Sequence, residues 1–206
     1  MTVVERIPRV AVWCAAAISV LAWIAFADKL RLNIERENGL FLQGLWRQLR
    51  FFTETTNIYV AVLFGAIALG RPGAASRRSL GGLVLAVILV ALVYWLILHG
   101  ATRNRSLWDA AFNVLIHGAI PATVVGYYIA LAEPAVLTRT DALRWAVYPL
   151  GYLAYAVARG TMDGRLPYFF LDPARIGVVN VLVSVTAISA GFVLAGLALV
   201  AWEKRG

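Results

Sequence analysis

The chain has 206 residues, of which 61% are hydrophobic, and its mean hydropathy is +0.76. These values exclude an ordinary water-soluble domain of this size. The net charge of +8 comes from basic residues scattered over the polar connectors beside apolar runs, where anionic lipid headgroups are a better counter-charge than nucleic acid. Cys14 is the one cysteine of the sequence, which excludes a disulfide framework and a thiolate metal cluster.

Six apolar runs fill most of the sequence. A helix needs about 20 apolar residues to cross about 30 Å of hydrocarbon, and most of these runs approach or reach that length. The runs are Val10–Ala27, Phe52–Leu69, Leu80–Leu98, Ala110–Ala132, Leu143–Ala158 and Ile176–Trp202. We therefore predict an all-α integral membrane protein, a bundle of six transmembrane helices that forms one domain over residues 1–206.

The first run has a second interpretation. Arg6 and Arg9 precede it and Ala25-Phe26-Ala27 ends it, a pattern that a cleavable signal peptide shares. The run has 18 residues, more than the apolar region of about 7 to 15 residues in a signal peptide. We expect it to remain in the mature protein as the first helix.

The basic residues do not fix the orientation by number. The N-terminus, residues 70–79, residues 133–144 and the C-terminus hold nine Lys and Arg, and the other three connectors hold ten. The 70–79 loop and the C-terminal tail are short and densely basic, which favours the cytoplasmic side. We predict a cell-membrane protein with both termini in the cytoplasm. The connectors 28–51, 100–109 and 159–175 then share the opposite side.

The second run opens with a polar face. Thr53, Thr56, Asn57 and Val60 follow the i, i+3, i+4, i+7 spacing, so they share one side of a helix, and we expect that side to face the bundle interior. Threonine and asparagine also join helices in membranes without any catalytic role. Both interpretations predict a buried face.

The fourth run carries an ionisable residue deep inside it. Asp109, Asn113 and His117 recur every four residues, and Tyr128 lies three turns beyond His117 on the same stripe. A histidine at that depth is a functional candidate, although a neutral imidazole that donates to a carbonyl is the structural alternative. Pro121 lacks an N–H and leaves a carbonyl free at the level of His117.

The fifth run carries an aromatic stripe between two arginines. Its members recur at spacings of three and four residues: Arg144, Tyr148, Tyr152, Tyr155 and Arg159. Buried tyrosine hydroxyls need partners, and we expect the polar faces of the second and fourth runs to supply them. The segment 159–173 is dense in turn formers and interfacial aromatic residues, so we expect it to dip back over the mouth of the bundle.

Taken in order, these segments resemble a known family. Three segments carry the resemblance: Phe-Phe-Thr-x-x-Thr-Asn at 51–57, His-x-x-x-Pro at 117–121, and the stretch from Tyr-Pro-x-x-Tyr to Pro-Tyr-Phe-Phe-Leu-Asp-Pro at 148–173. Together they resemble the bacterial six-helix Pr-six-Pr membrane proteins. That group is distantly similar to the androgen-induced and androgen-dependent membrane proteins, which hydrolyse fatty-acid esters of hydroxy fatty acids with an intramembrane threonine and histidine. The resemblance implies a bacterial hydrolase of a lipid ester, with Thr53 and His117 at these two positions.

The residues can support such a reaction. A threonine hydroxyl needs an adjacent base to become a nucleophile, and neutral His117 is the intramembrane candidate on this side. The boundaries of the runs leave Thr53 and His117 about 10 Å apart in depth, so contact requires a tilted helix or an earlier start of the second helix. Other polar side chains are candidates to bind the oxyanion or to orient the base: Asn57, Asn113, Tyr152 and Arg159.

Two other classes stay open at this point. His99 and His117 are candidate axial ligands of a haem, which absorbance near the Soret band would reveal. A lipid-binding or transport bundle without catalysis is the other alternative, and turnover of a lipid ester separates it from the hydrolase. The leading interpretation needs no cofactor and no metal, and its partner is a membrane lipid or lipid ester.

Overall fold

The computed structural model describes residues 8–101 and 106–205, and this part of the chain is all-helical without a β-strand. Arg6 and part of the 100–109 connector lie outside it. The helices are α1 (Arg9–Arg36), α2 (Phe41–Gln48), α3 (Phe52–Ala68), α4 (Arg77–Val93), α5 (Leu107–Val114), α6 (Ile120–Leu131), α7 (Arg139–Asp163), α8 (Pro173–Ile176) and α9 (Val178–Glu203). Two π-helical turns, Tyr94–Leu98 and Leu115–Ala119, continue α4 and join α5 to α6.

Several helices have the length and composition of membrane spans. In the described residues, four stretches are long and apolar enough to cross a bilayer: α1, Arg77–Leu98, Leu107–Leu131 and α9. The bent pair α2 and α3, with 98° between its members, makes a fifth if it is counted as one span. The helix α7 is 25 residues long, but it carries charged residues and three tyrosines. The all-helical, membrane-type class is therefore confirmed, and the count stands at four to five spans.

The connector 28–51 is largely helical. The helix α1 continues nine residues past Ala27, and the chain then turns through Asn38 and Gly39, both with positive φ. The helix α2 packs on the last turns of α1, and a Cβ on Gly44 would come within 2.7 to 2.9 Å of Ile34 atoms, so glycine permits this approach. The α2–α3 corner returns to the level of Phe26, whose carbonyl accepts a 2.9 Å bond from Gln48.

Small residues on α1 let α3 approach closely. Ala11, Ala15, Ala22 and Ala25 are almost fully buried, and the Ser19 hydroxyl donates to the Ala61 carbonyl at 2.7 Å. Small residues and side-chain hydrogen bonds are typical of packed membrane helices. The helix α4 is central, because it packs against α3, α6, α7 and α9.

The two ends of the bundle collect the connectors that alternation predicts. At one end, called the loop end here, Arg50 pairs with Asp163 and the Trp108 indole donates to Asp28, which joins the connectors 28–51, 100–109 and 159–175. At the opposite end, called the tail end, Arg77 pairs with Glu203 at the end of α9, and its main-chain N–H donates to the carbonyl of residue 133. These contacts confirm the predicted grouping of connectors.

Candidate active site

The two π-helical turns face each other beside the proline of α6. Pro121 has no N–H for the carbonyl four residues before it, which is that of His117. The Trp95 indole replaces that donor and binds the His117 carbonyl at 3.0 Å. Single π-helical turns are frequent at functional sites. The free carbonyl that the sequence predicts is therefore present, and it ties α4 to the histidine.

Thr53 and His117 come together in the bundle. Thr53 is the second residue of α3, and its Oγ1 lies 3.4 Å from Nε2 of His117, a side chain that is 8% exposed. The expected difference in depth disappears because the α2–α3 corner lies at the level of Phe26, ten residues before the end of α1. Ten helical residues correspond to about 15 Å. The return of α2 therefore places Thr53 opposite the middle of the fourth run.

The hydrogen bonds of His117 define its tautomer. Its Nδ1 lies 3.0 Å from the main-chain carbonyl of Asn113. A carbonyl only accepts, so Nδ1 carries the proton and Nε2 presents its lone pair to the Thr53 hydroxyl. Asn113 thus fixes the imidazole tautomer through its main-chain carbonyl, and its role in orienting a base stays a prediction. The Tyr94 ring stacks on the imidazole with 3.7 Å between centroids and 8° between planes, which fixes the ring plane.

The same geometry bears on the haem alternative. Both nitrogens of His117 are within contact distance of a protein atom, and the Tyr94 ring covers one face of the imidazole. His99 is an exposed residue whose ring contacts Tyr94 and Trp95. The two histidines are therefore not arranged as a pair of axial ligands.

Asn57 supplies an unpartnered donor near the pair. It lies one turn after Thr53 on α3 and is 3% exposed, and its Nδ2 has no hydrogen-bond partner in the described residues. A buried amide N–H without an acceptor costs free energy unless another group binds it. The neighbouring Thr56 hydroxyl instead bonds to Tyr148 at 3.0 Å. The predicted inward face of α3 and its pairing with the tyrosine stripe are confirmed.

Tyr168 belongs to the site, although the sequence analysis did not single it out. The segment that contains it dips back over the bundle, as predicted, and its hydroxyl accepts the N–H of Phe52 at 2.9 Å. Burial raises the pKa of Tyr168 to about 12. It is therefore a neutral donor at physiological pH. The aromatic density of 167–170 indicated a loop at the membrane surface but not which ring turns inward.

An apolar cavity opens at Thr53. Phe52, Thr53, Tyr94, Tyr152 and Tyr168 line one side, and apolar residues of α4, α7 and α9 line the rest. Its volume is about 90 Å³, below the range of about 300 to 1,000 Å³ of small-molecule sites, so a ligand has to widen it. Tyr152 contributes its ring, while its hydroxyl donates to the Arg50 carbonyl at 2.6 Å. The predicted site residue Tyr152 therefore shapes the cavity wall.

Arg159 lies in a different cluster from the one predicted. It is 2% exposed, its Nη1 donates to the Tyr155 hydroxyl at 2.8 Å, and its guanidinium lies 3.9 Å from the centroid of the Trp46 ring. Its Nε is 3.4 Å from a carboxylate oxygen of Asp163. These contacts place the side chain at the junction of α2 and α7, its Nη2 has no partner in the described residues, and a role at the oxyanion stays a prediction.

Two further polar residues near the site have structural partners. Glu54 is buried and accepts a 3.2 Å bond from Gln48, on the side of α3 that faces α1. Tyr128 shares the stripe of His117 by spacing, but its hydroxyl donates to Glu203 at the tail end at 3.0 Å. Neither contact involves the Thr53–His117 pair.

Comparison of the chain with family models, curated proteins and solved structures finds no match. The resemblance to the Pr-six-Pr proteins therefore stays a prediction, and the geometry of the site is the basis for function.

Proposed function

We propose that this protein is an intramembrane hydrolase of a lipid ester, of the fatty-acid ester of hydroxy fatty acid type. Thr53 is the nucleophile and His117 the base. The observation that carries the proposal is the 3.4 Å contact between the Thr53 hydroxyl and the unprotonated Nε2 of His117, at the wall of an apolar cavity. Nucleophile and base often lie slightly beyond ideal hydrogen-bond distance without substrate.

The reaction proceeds in two halves. The Thr53 oxygen attacks the ester carbonyl carbon while Nε2 of His117 takes the hydroxyl proton, and the collapsing intermediate releases the alcohol, which takes that proton from Nε2. An acyl-threonine remains. Water then attacks the acyl carbon, gives a proton to Nε2, and the fatty acid leaves as Thr53 regains its proton. The Nδ1 bond to the Asn113 carbonyl stabilises the imidazolium that forms in each half.

Two donors are suited to the oxyanion. The Nδ2 of Asn57 is buried without a partner in the described residues, one turn from Thr53. The Tyr168 hydroxyl accepts the N–H of the residue before Thr53 and stays protonated. Donors that are fixed before the reaction stabilise the charge of the tetrahedral intermediate more than water does. The apolar cavity receives the part of the acyl chain next to the ester carbonyl, and it has to widen to admit more of the chain.

The proposal includes a topology of six membrane crossings. The helix α7 has 25 residues, which corresponds to about 37 Å and exceeds the hydrocarbon thickness. Two of its tyrosines bond inward, to threonines of α3 and to the Arg50 carbonyl, so its low hydropathy reflects an interior face. With α2 and α3 as one bent span, both termini lie in the cytoplasm of a bacterial cell, as the basic 70–79 loop and tail favour.

A lipid-binding bundle without catalysis has one supporting observation, the apolar cavity itself. It gives no reason for the Thr53–His117 contact or for the carbonyl that fixes the imidazole tautomer. The hydrolase accounts for all three features.

Release of fatty acid from a fatty-acid ester of a hydroxy fatty acid, measured by mass spectrometry in proteoliposomes, tests the proposal. Thr53→Ala and His117→Ala should each lower turnover by about a thousandfold, and the double variant should be no slower than either, because the two residues act as a unit. Thr53→Ser should retain turnover. Thr123→Ala is a matched control elsewhere in the bundle, on α6, and His99→Ala is the control for loss of an imidazole that contacts Tyr94 and Trp95 but not Thr53. Turnover that persists without Thr53 or His117 contradicts the proposal.

A further inference from the structure

Tyr168 lines two cavities of opposite character. One is the apolar cavity beside Thr53. The other, called the vestibule here, opens at the loop end and is lined by polar and charged side chains. Its lining includes Trp46, Arg47, Arg50, Asp163, Asp172 and Arg175. Phe51 and Tyr168 line the vestibule, whereas Thr53, two residues after Phe51, lines the apolar cavity.

The ring of Tyr168 is held at this junction by several contacts. Its hydroxyl accepts the Phe52 N–H at 2.9 Å, and its ring stacks on Phe170 with 5.0 Å between centroids. Gly164 ends α7 in a left-handed conformation with φ of 68°, which turns the chain back toward the bundle. Arg50 then fixes the start of this segment through its ion pair with Asp163 at 2.7 Å.

The proposed reaction needs both compartments. Hydrolysis consumes one water molecule and releases an alcohol and an acid. The walls of the apolar cavity are almost entirely apolar, so they offer few hydrogen-bond partners to any of these. A water molecule is stable in a protein only with about two to four polar partners. The vestibule provides such partners, and Tyr168, whose hydroxyl accepts the N–H of the residue before Thr53, lines both cavities.

We propose that the vestibule is the binding compartment for water and for the polar product, and that Tyr168 is the positioning residue that separates the vestibule from the apolar cavity. The use of the vestibule for water and product rests on the proposed hydrolase. The separation of the two cavities by Tyr168 does not depend on turnover. Displacement of the Tyr168 ring exposes Thr53 to the vestibule. In the closed position the ring keeps water away from the apolar cavity and holds the hydroxyl donor beside Thr53.

Thiol labelling in lipid nanodiscs tests the closure without any hydrolysis assay. A protein with Cys14→Ala and Thr53→Cys, called the labelling parent here, is treated with a sulfonate-bearing methanethiosulfonate, which enters water-filled paths but not lipid. Tyr168→Ala in this background should raise the labelling rate at least tenfold, and Tyr168→Leu should raise it less. Tyr168→Phe should stay near the labelling parent, because the ring still blocks the path. The melting temperature of each protein checks its fold.

Two control positions frame the measurement. Gln43→Cys lines the vestibule and should label rapidly whatever residue stands at position 168, whereas Val62→Cys lies on an exposed face of α3 and should stay unlabelled in lipid. Equal labelling rates in the labelling parent and in its Tyr168→Ala derivative, whether slow or fast, overturn the closure. The labelling rates do not depend on whether the protein hydrolyses an ester. Failure of the hydrolase proposal can therefore be distinguished from failure of the closure.

Discussion

The tail end of the bundle is joined by ion pairs, whereas the loop end combines the Arg50–Asp163 ion pair with the Thr53–His117 contact beside a cavity. At the tail end, charged side chains form ion pairs. Glu203 pairs with Arg77 and accepts a hydrogen bond from the Tyr128 hydroxyl, and a carboxylate oxygen of Asp141 lies 3.2 Å from Nε of Arg78. These contacts join α4, α6, α7 and α9. Ion pairs and hydrogen bonds between elements of this kind stabilise a fold without requiring any ligand.

At the loop end, the central polar pair is neutral and lies beside a cavity. Thr53 contacts His117, and Asn57 keeps a donor without a partner in the described residues. An unpartnered atom alone does not mark a site, since Arg77 Nε and the Tyr127 hydroxyl at the tail end also lack partners there. What distinguishes the Thr53–His117 pair is the cavity that Thr53 lines and the imidazole tautomer that the Asn113 carbonyl fixes. Polar groups that satisfy each other contribute stability, and those left available next to a cavity can bind a reacting group.

The largest stability effect is expected at the tail end. Glu203→Ala should lower the free energy of unfolding by about 3 kcal/mol, because it leaves Arg77 and Tyr128 without their shared acceptor. For a chain of this length that corresponds to a melting temperature lower by about 6 to 12 °C. Turnover per folded molecule should be unchanged.

The matched control for this variant is Glu35→Ala, which removes an exposed i,i+4 partner of Arg31 and should leave the melting temperature close to that of the parent. The contrast between the two ends fails if Glu203→Ala lowers turnover of the folded protein while its melting temperature stays near that of the parent.

A smaller effect is expected where the two π-helical turns meet. Trp95→Phe removes the donor to the His117 carbonyl and should cost about 1 kcal/mol, with a several-fold loss of turnover as the imidazole loses its support. Pro121→Ala restores a main-chain N–H near the same carbonyl, so Trp95→Phe should cost less in that background. Melting temperatures and turnover of the four proteins form a double-mutant cycle.

Trp13→Phe, on the exposed face of α1, is the control for loss of an indole. If the effects of Trp95→Phe and Pro121→Ala on melting temperature are strictly additive, the two residues do not act through the His117 carbonyl.

The smallest effect is a pH dependence at the vestibule. The bond from Arg50 lowers the pKa of Asp163 from 3.8 to about 2. A lowered carboxylate pKa stabilises the folded state above the unfolded value, and this stabilisation is lost as the pH falls through the folded value. The melting temperature of the parent should therefore exceed that of Asp163→Asn at pH 6, and the difference should shrink between about pH 4 and pH 2.

Glu35→Gln is the control here, because its exposed pair with Arg31 should change the melting temperature little at any pH. A difference between the parent and Asp163→Asn that grows as the pH falls would contradict the role assigned to the Arg50–Asp163 pair.

The sequence predicted much of this arrangement because helix periodicity is local. The spacing of Thr53, Thr56 and Asn57 indicated an inward face; Thr56 and Asn57 are buried, and Thr53 is partly buried at the cavity. The depth of His117 marked an ionisable group inside a span, and Pro121 marked a free carbonyl, which Trp95 occupies. Each of these follows from positions three or four residues apart.

The remaining features depend on contacts between distant segments. The return of α2 along α1 rests on the Gln48 bond to Phe26 and on the missing side chain of Gly44, neither of which has a periodic signal. The inward turn of Tyr168 depends on the N-terminus of α3, 116 residues away in sequence. Arg159 was predicted near the site because it shares a stripe with Tyr152, but its partners lie farther along α7 and on α2.

Covalent trapping tests the central claim most directly. A long-chain alkyl fluorophosphonate transfers its phosphonyl group to an activated hydroxyl with loss of fluoride, and mass spectrometry of the fragmented protein assigns the modified residue. The account predicts an adduct on Thr53 but not on Thr55 or Thr56, and at least a hundredfold slower modification in His117→Ala than in the parent or in His99→Ala. Modification spread over the three threonines, or a Thr53 adduct that forms equally fast without His117, would contradict it.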